Sequence, residues 1–154
     1  MTNNSFRIEA LPTELADEAR TKAANGAPDH KISVVADEHS APCRHCLTWA
    51  KLGDRVILFP YQAIPADQPY AESGPIFVHA EACDRYASAH EFPPELRTGR
   101  VVRAYNQQNE IVAAELANVA PETTAARLLQ NDAIEFLHVR SASHGCYTFK
   151  VERA

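Results

Sequence analysis

The sequence predicts an α+β fold, a mostly antiparallel β-sheet with two main helices packed on it. Three observations point there. Segments of period-2 apolar alternation or short buried runs outnumber helical ones. Asparagine- and glycine-bearing turns join several of them as hairpins. Only two stretches, each opened by a proline, carry helical periodicity, so there is no regular β-α-β alternation.

Taken in order, residues 1–5 are polar and expected to be disordered. Phe6, Ile8 and Ala10 alternate with Arg7 and Glu9, as in a half-buried strand. Pro12 opens a helix, because a proline in the first turn sacrifices no needed donor. Leu15, Ala19 and Ala23 are expected on its buried face, and Gly26 supplies the left-handed stop. Ile32 to Ala36, Val56 to Tyr61 and Ile76 to Ala80 read as strands, with loops at Asp37 to Pro42 and Gln62 to Gly74. The second loop is long and has no helical period, as functional or mobile loops often do. Val101–Tyr105 and Glu110–Ala117 flank the turn Asn106-Gln107-Gln108-Asn109. Pro121 opens the second helix, in which Ala125, Leu128 and Leu129 share a face and Asn131 marks the end. A last hairpin pairs Ile134–Arg140 with Cys146–Glu152, with Gly145 providing the positive φ of its loop. Six or seven strands and two helices are therefore expected in one domain, 1–154.

The chain has 154 residues, 45% of them hydrophobic and 23% charged, ordinary values for a globular protein that needs no metal or disulfide to build a core. A net charge of −5, with no basic tract, argues against nucleic acid as a partner, since phosphate neutralisation supplies most nonspecific affinity. No apolar run approaches the ~20 residues of a membrane span, and the N-terminus lacks a signal-like apolar segment. A cytoplasmic location follows as the expectation. Four cysteines in that compartment point to thiols, metal or catalysis before disulfides.

Several segments resemble the bacterial family known as domain of unknown function 1203. They are Pro42-Cys43-Arg44, Gly53-Asp54-Arg55-Val56-Ile57-Leu58 running into Pro60-Tyr61, and Pro69-Tyr70. More specific are Ser73-Gly74-Pro75-Ile76-Phe77-Val78-His79, Arg103-Ala104-Tyr105, and Val139-Arg140-Ser141 with Gly145-Cys146-Tyr147. The resemblance spans nearly the whole chain and implies a one-domain protein, but brings no activity, cofactor or catalytic residue with it. Function must be read from side-chain chemistry.

Three constellations carry such chemistry. Cys43-x2-Cys46 and His79-x3-Cys83 supply the four nitrogen and sulfur ligands of a tetrahedral zinc, although Leu47 stands where zinc knuckles commonly have glycine. Cys146 or His144 could replace any one ligand, and the same residues could be no more than buried thiols beside a hydrogen-bonded histidine. Cys43-Arg44-His45-Cys46 also has the spacing of a thiol–disulfide motif, without the strand-to-helix context such motifs have. The third constellation is a sheet face. If Arg140 lies opposite Cys146 and His138 opposite Thr148, then His79, Arg103, Tyr105, His138, Arg140 and Cys146 could line one surface. Tyr147, Phe149 and Val151 would then face the core. Arg103, Arg140, Tyr105 and His79 would anchor a small anionic ligand, arginine forks being suited to carboxylate or phosphate. Cys146 as nucleophile with His79 or His138 as base is the enzymatic alternative; a solvated face, with Arg140 paired to an acid, is the bland one. Phosphate-loop, dinucleotide and zinc-protease patterns are absent.

Overall fold

A computed structural model of the chain describes residues 5–154. Of the segment expected to be disordered, residues 1–4 lie outside the described residues; the Ser5 carbonyl accepts from the Ala154 amide at 3.2 Å. Among the described residues there are eight strands: β1 (Phe6–Glu9), β2 (Lys31–Val34), β3 (Arg55–Ile64), β4 (Glu72–His79), β5 (Arg100–Tyr105), β6 (Ile111–Leu116), β7 (Phe136–Ser141) and β8 (Tyr147–Arg153). The two α-helices are α1 (Thr13–Ala24) and α2 (Pro121–Leu129). The fold is α+β, and all the strand pairs of its two sheets are antiparallel.

The strands divide between two sheets rather than one. Five form the order β1-β8-β7-β5-β6, and three form β2-β3-β4. This division separates β4, and with it His79, from the strands carrying Arg103, Tyr105 and Arg140. The expected long loop is also shorter: β3 continues to Ile64 and β4 begins at Glu72, with a register shift between Gln62 and Ile64. Pro60 and Pro75 face each other across the pair.

One face of the large sheet presents Val102, Ala104, Leu137, Val139, Phe149 and Val151, which are buried with Ala125, Leu128 and Leu129 of α2. The other presents Arg103 and Tyr105 from β5, Phe136, His138 and Arg140 from β7, and Tyr147 and Lys150 from β8, by cross-strand register. It is not a wet face. Ile64 of β3 packs against Tyr105 and Phe136, and Tyr61 stacks at a tilt on Tyr147. The small sheet is backed by α1 through Ala16, Ala19 and Ala23, with Ile57, Phe59, Ile76 and Val78. Leu15, expected inside, is exposed: the buried stripe runs through Ala16 instead, one position along.

The expected register of the last hairpin is corrected by a β-bulge. Val139 pairs with Phe149 but Arg140 pairs with Tyr147, leaving Thr148 as the extra residue. His138 consequently faces Lys150, not Thr148. The bulge flips Tyr147 onto the His138 face, and Cys146 falls outside the strand, exposed.

Candidate metal centre

Pro42 bridges Trp49, the Cys43 amide donates to Thr48 O at 2.9 Å and the Leu47 amide to Cys43 O at 2.9 Å. These bonds close residues 42–49 into a tight turn that directs Cys43 and Cys46 to one side. The turn is docked on β4, where the Arg44 amide donates to Phe77 O at 2.9 Å. No helix follows the second cysteine. Leu47 takes the left-handed conformation, φ 56°, that glycine takes without cost. For a leucine that costs about 1–2 kcal/mol. Its side chain is fully buried in the large core, worth roughly 1.5–3 kcal/mol, so burial offsets the strain. The missing glycine therefore did not exclude a knuckle.

His79, the last residue of β4, and Cys83, four residues on, bring the other two ligands. One ligand atom from each of Cys43, Cys46, His79 and Cys83 lies within 4.8 Å of all the others. The Sγ atoms of Cys43 and Cys83 are 3.9 Å apart, and Cys46 Sγ is 3.5 Å from His79 Nδ1. A tetrahedral zinc with ordinary bond lengths requires about 3.8 Å between two sulfurs and about 3.5–3.6 Å between sulfur and nitrogen. A disulfide would need about 2.05 Å, and all four cysteines are free thiols. The residues fit a divalent cation of zinc's preferences.

The surroundings are those of an oriented site. His79 Nε2 sits 3.3 Å from Asp54 Oδ2, leaving Nδ1 toward the sulfurs, while Asp54 Oδ2 also accepts from the Lys51 amide at 2.9 Å. A carboxylate behind a ligating imidazole fixes its tautomer and ring plane. Each sulfur also has a hydrogen-bond partner other than the four converging atoms. The His79 amide donates to Cys43 Sγ at 3.4 Å, and Thr48 Oγ1 lies 3.2 Å from Cys46 Sγ. Arg20 Nη2 donates to Cys83 Sγ at 3.5 Å, with His45 Nδ1 at 3.1 Å. Arg20 from α1 also brings positive charge to a centre that three thiolates and one divalent ion would leave net negative.

The converging side chains shift one another's protonation. Hydrogen bonding with Cys46, then Cys83, holds the Cys43 thiol far below its ordinary value. The same crowding, first from Cys43 and then from Cys46, pushes Cys83 far above it. Hydrogen bonds from His79 to Cys43 and then Cys46 raise the imidazole to about 10. Three sulfurs at this spacing ionise together only if something positive lies among them.

The other sequence candidates are placed differently. Arg140 is buried and its fork is filled by Glu72 of β4, with Nη1 donating to Oε1 at 2.8 Å and Nη2 to Oε2; Nε donates to Gly145 O at 2.8 Å. Tyr105 and His138 pack at a tilt inside, ring centroids 4.9 Å apart. Burial, then the charges of Arg140, Lys150 and Arg103, push His138 down to about 3, and its Nδ1 is buried without a hydrogen-bond partner. Arg103 is half-buried on that face. Among the described residues the hydrogen-bond partner of Cys146 Sγ is the His144 carbonyl, at 3.8 Å, and neither His79 nor His138 is hydrogen-bonded to it.

Residues 40–153 match the model of a family described as a protein of unknown function, DUF1203. The chain belongs to that family. No curated protein and no solved structure matches the chain. Within the family's span lie Asp54 and all four residues that could hold a metal ion. Sequence reasoning passed over Asp54, Arg20, His45 and Thr48 as parts of the centre; Asp54, in Gly53-Asp54-Arg55, and His45, in Cys43-Arg44-His45-Cys46, stood within segments already singled out, and Arg20 and Thr48 did not.

Proposed function

We propose that this protein binds zinc at Cys43, Cys46, His79 and Cys83, and that the metal's role is structural. The observation that carries the reading is the convergence of four sulfur and nitrogen atoms within 4.8 Å of one another, with the Cys43–Cys83 and Cys46–His79 separations those of a tetrahedral zinc and each sulfur hydrogen-bonded by a further group. A set of four protein ligands leaves no open coordination position for water or substrate, which is the mark of a structural rather than a catalytic zinc.

The ligands come from three segments: the 42–49 turn, the end of β4 and the stretch that leaves the small sheet. That stretch, residues 80–99, crosses to the large sheet with only a short 3₁₀ turn at Pro94–Leu96. It is tied to the knuckle by the Tyr86 amide donating to His45 O at 2.9 Å, and to β1 by the Ile8 amide donating to Ala89 O at 2.8 Å. Zinc at its head would clamp an irregular crossover that has little helix or strand to hold it.

Protein purified without added metal should carry about one zinc per chain by elemental analysis, and Cys83→Ser should carry markedly less. Metal-free protein that is fully folded, with four thiols reacting at once with a thiol reagent, would overturn the reading. The anionic-ligand reading of the large sheet loses its central anchor, because Arg140 is committed to Glu72.

A further inference from the structure

The two sheets have four edge strands, β1, β6, β2 and β4. The chain itself covers two of them. Along β1, the Ile8 amide donates to Ala89 O at 2.8 Å and His90 Nδ1 donates to Phe6 O at 2.7 Å. Along β4, Cys43 of the knuckle bridges Phe77, whose carbonyl accepts from the Arg44 amide. β2 spans only four residues and starts with Lys31, and a short edge with a charged residue discourages further pairing. β6 has no such guard. Its six residues, Ile111–Leu116, include no lysine, arginine or proline, and its strand neighbour among the described residues is β5 alone.

Exposure alternates along β6, so Val112, Ala114 and Leu116 share the open face. Val112 is 46% exposed and Leu116 65% exposed, and Val119, just beyond the strand, is 85% exposed. The Ala117 amide donates to Arg100 O at 2.9 Å, which sets the alternation of the backbone. Ala113 and Glu115 turn their amides and carbonyls to β5, while Ala114 and Leu116 turn theirs to the open edge. The bulge that leaves Val112 without a partner on β5 sits near the start of the strand, and 113–116 stay in regular register.

The sequence of the strand says what fits this edge. When a two-fold axis normal to a sheet pairs a strand with its own copy, positions directly opposite share a face, so the axis passes through a residue. With the axis at Ala114, Val112 of each copy faces Leu116 of the other, and the two alanines exchange both backbone bonds at the centre. On the opposite face Glu115 meets Ala113 and keeps its ion pair with Arg127 of α2. An axis at Glu115 would set the two carboxylates against each other, and an axis at Ala113 would set Glu110 against Leu116. Axes farther along would pair the strand with residues outside it. The edge is complementary to itself in one register.

We propose that the protein forms a two-fold dimer through β6, which pairs antiparallel with β6 of a second copy about an axis at Ala114 and joins the two five-stranded sheets into one. The small side chain at the axis leaves room for the two Val112–Leu116 pairs to pack on either side of it. The dimer is independent of the metal centre, none of whose four residues lies in β5 or β6.

Sedimentation of the full chain over concentrations from micromolar to millimolar tests the interface. The average mass should rise from that of one chain toward that of two, and the Ala114 amide should exchange more slowly with solvent as concentration rises. Val112→Lys and Leu116→Glu should each weaken association by about tenfold or more, since each burdens both symmetric pairs, with circular dichroism unchanged. Mixed in equal amounts the two variants should associate again, because positions 112 and 116 then face each other with opposite charges. If either variant does not fold, Ala114→Lys, which opposes two like charges at the axis, should by itself hold the chain monomeric. A chain that is monomeric at every concentration leaves the edge to a different protein or to none, and overturns the proposal. Association undiminished in the folded variants, or no recovery on mixing them, overturns it as well.

Discussion

The knuckle and the β7–β8 ribbon both place cysteine, histidine and arginine close together in sequence, yet only the first brings cysteine and histidine into contact. In Cys43-Arg44-His45-Cys46 the two sulfurs are separated by one tight turn whose backbone bonds leave few alternatives. Partners from β4 need only meet that turn. In the ribbon, neighbours are set by cross-strand register, and one extra residue reassigns them. The bulge at Thr148 seats Tyr147 opposite Arg140 and sends Cys146 to the surface. Local spacing survives folding; inferred register does not survive a bulge.

Four measurements break or sharpen that contrast. The largest effect is expected at the knuckle. Removing one ligand with Cys83→Ser, or stripping metal with a chelator, should lower the melting temperature by roughly 8–16 °C, because free zinc at a thousand times Kd stabilises by about 4 kcal/mol. Cys146→Ser should leave the melting temperature and zinc content unchanged. Equal losses at Cys83 and Cys146 would erase the distinction between the two regions.

Next comes the ion pair that closes the ribbon face. Glu72→Gln leaves Arg140 buried without its carboxylate and should cost about 3 kcal/mol in chemical denaturation, the lower end for a broken buried pair because Glu72 keeps some solvent contact. An unchanged midpoint would mean that Arg140 finds another acceptor.

His138 gives a pH-dependent effect. Burial, with Arg140, Lys150 and Arg103 on the same face, depresses it to about 3 in the folded chain, against about 6.5 when unfolded. The unfolded chain therefore takes up a proton that the folded one refuses. Stability is fully present above about pH 6.5 and falls as pH drops toward 3. Between pH 6.5 and 5, before most carboxylates titrate, the loss should be about 2 kcal/mol. His138→Phe should flatten that slope; if the wild-type and variant slopes coincide, the histidine is not held neutral.

The smallest effect concerns the carboxylate behind His79. Asp54→Asn keeps the shape but weakens the orienting bond, and zinc affinity in competition with a chromophoric chelator should fall about tenfold. No change in affinity would show that the ring is held by packing alone.

What was legible in the sequence was whatever depends on residues near one another along the chain. The strand and helix positions followed from period and from Pro12 and Pro121, and the cluster of Cys43, Cys46, His79 and Cys83 that could hold a metal ion from two short spacings. Leu47 shows the limit of that reading. A leucine at φ 56° is locally unfavourable, and only its burial in a core assembled from distant segments makes it acceptable. The division into two sheets, the Glu72–Arg140 pair and the bonds of Arg44 and Arg100 to Tyr147 and Thr148 all join residues far apart in sequence. Alternation says which residues share a face but not which face opposes it. That choice belongs to long-range packing, where burying a charge or a ring outweighs any local preference.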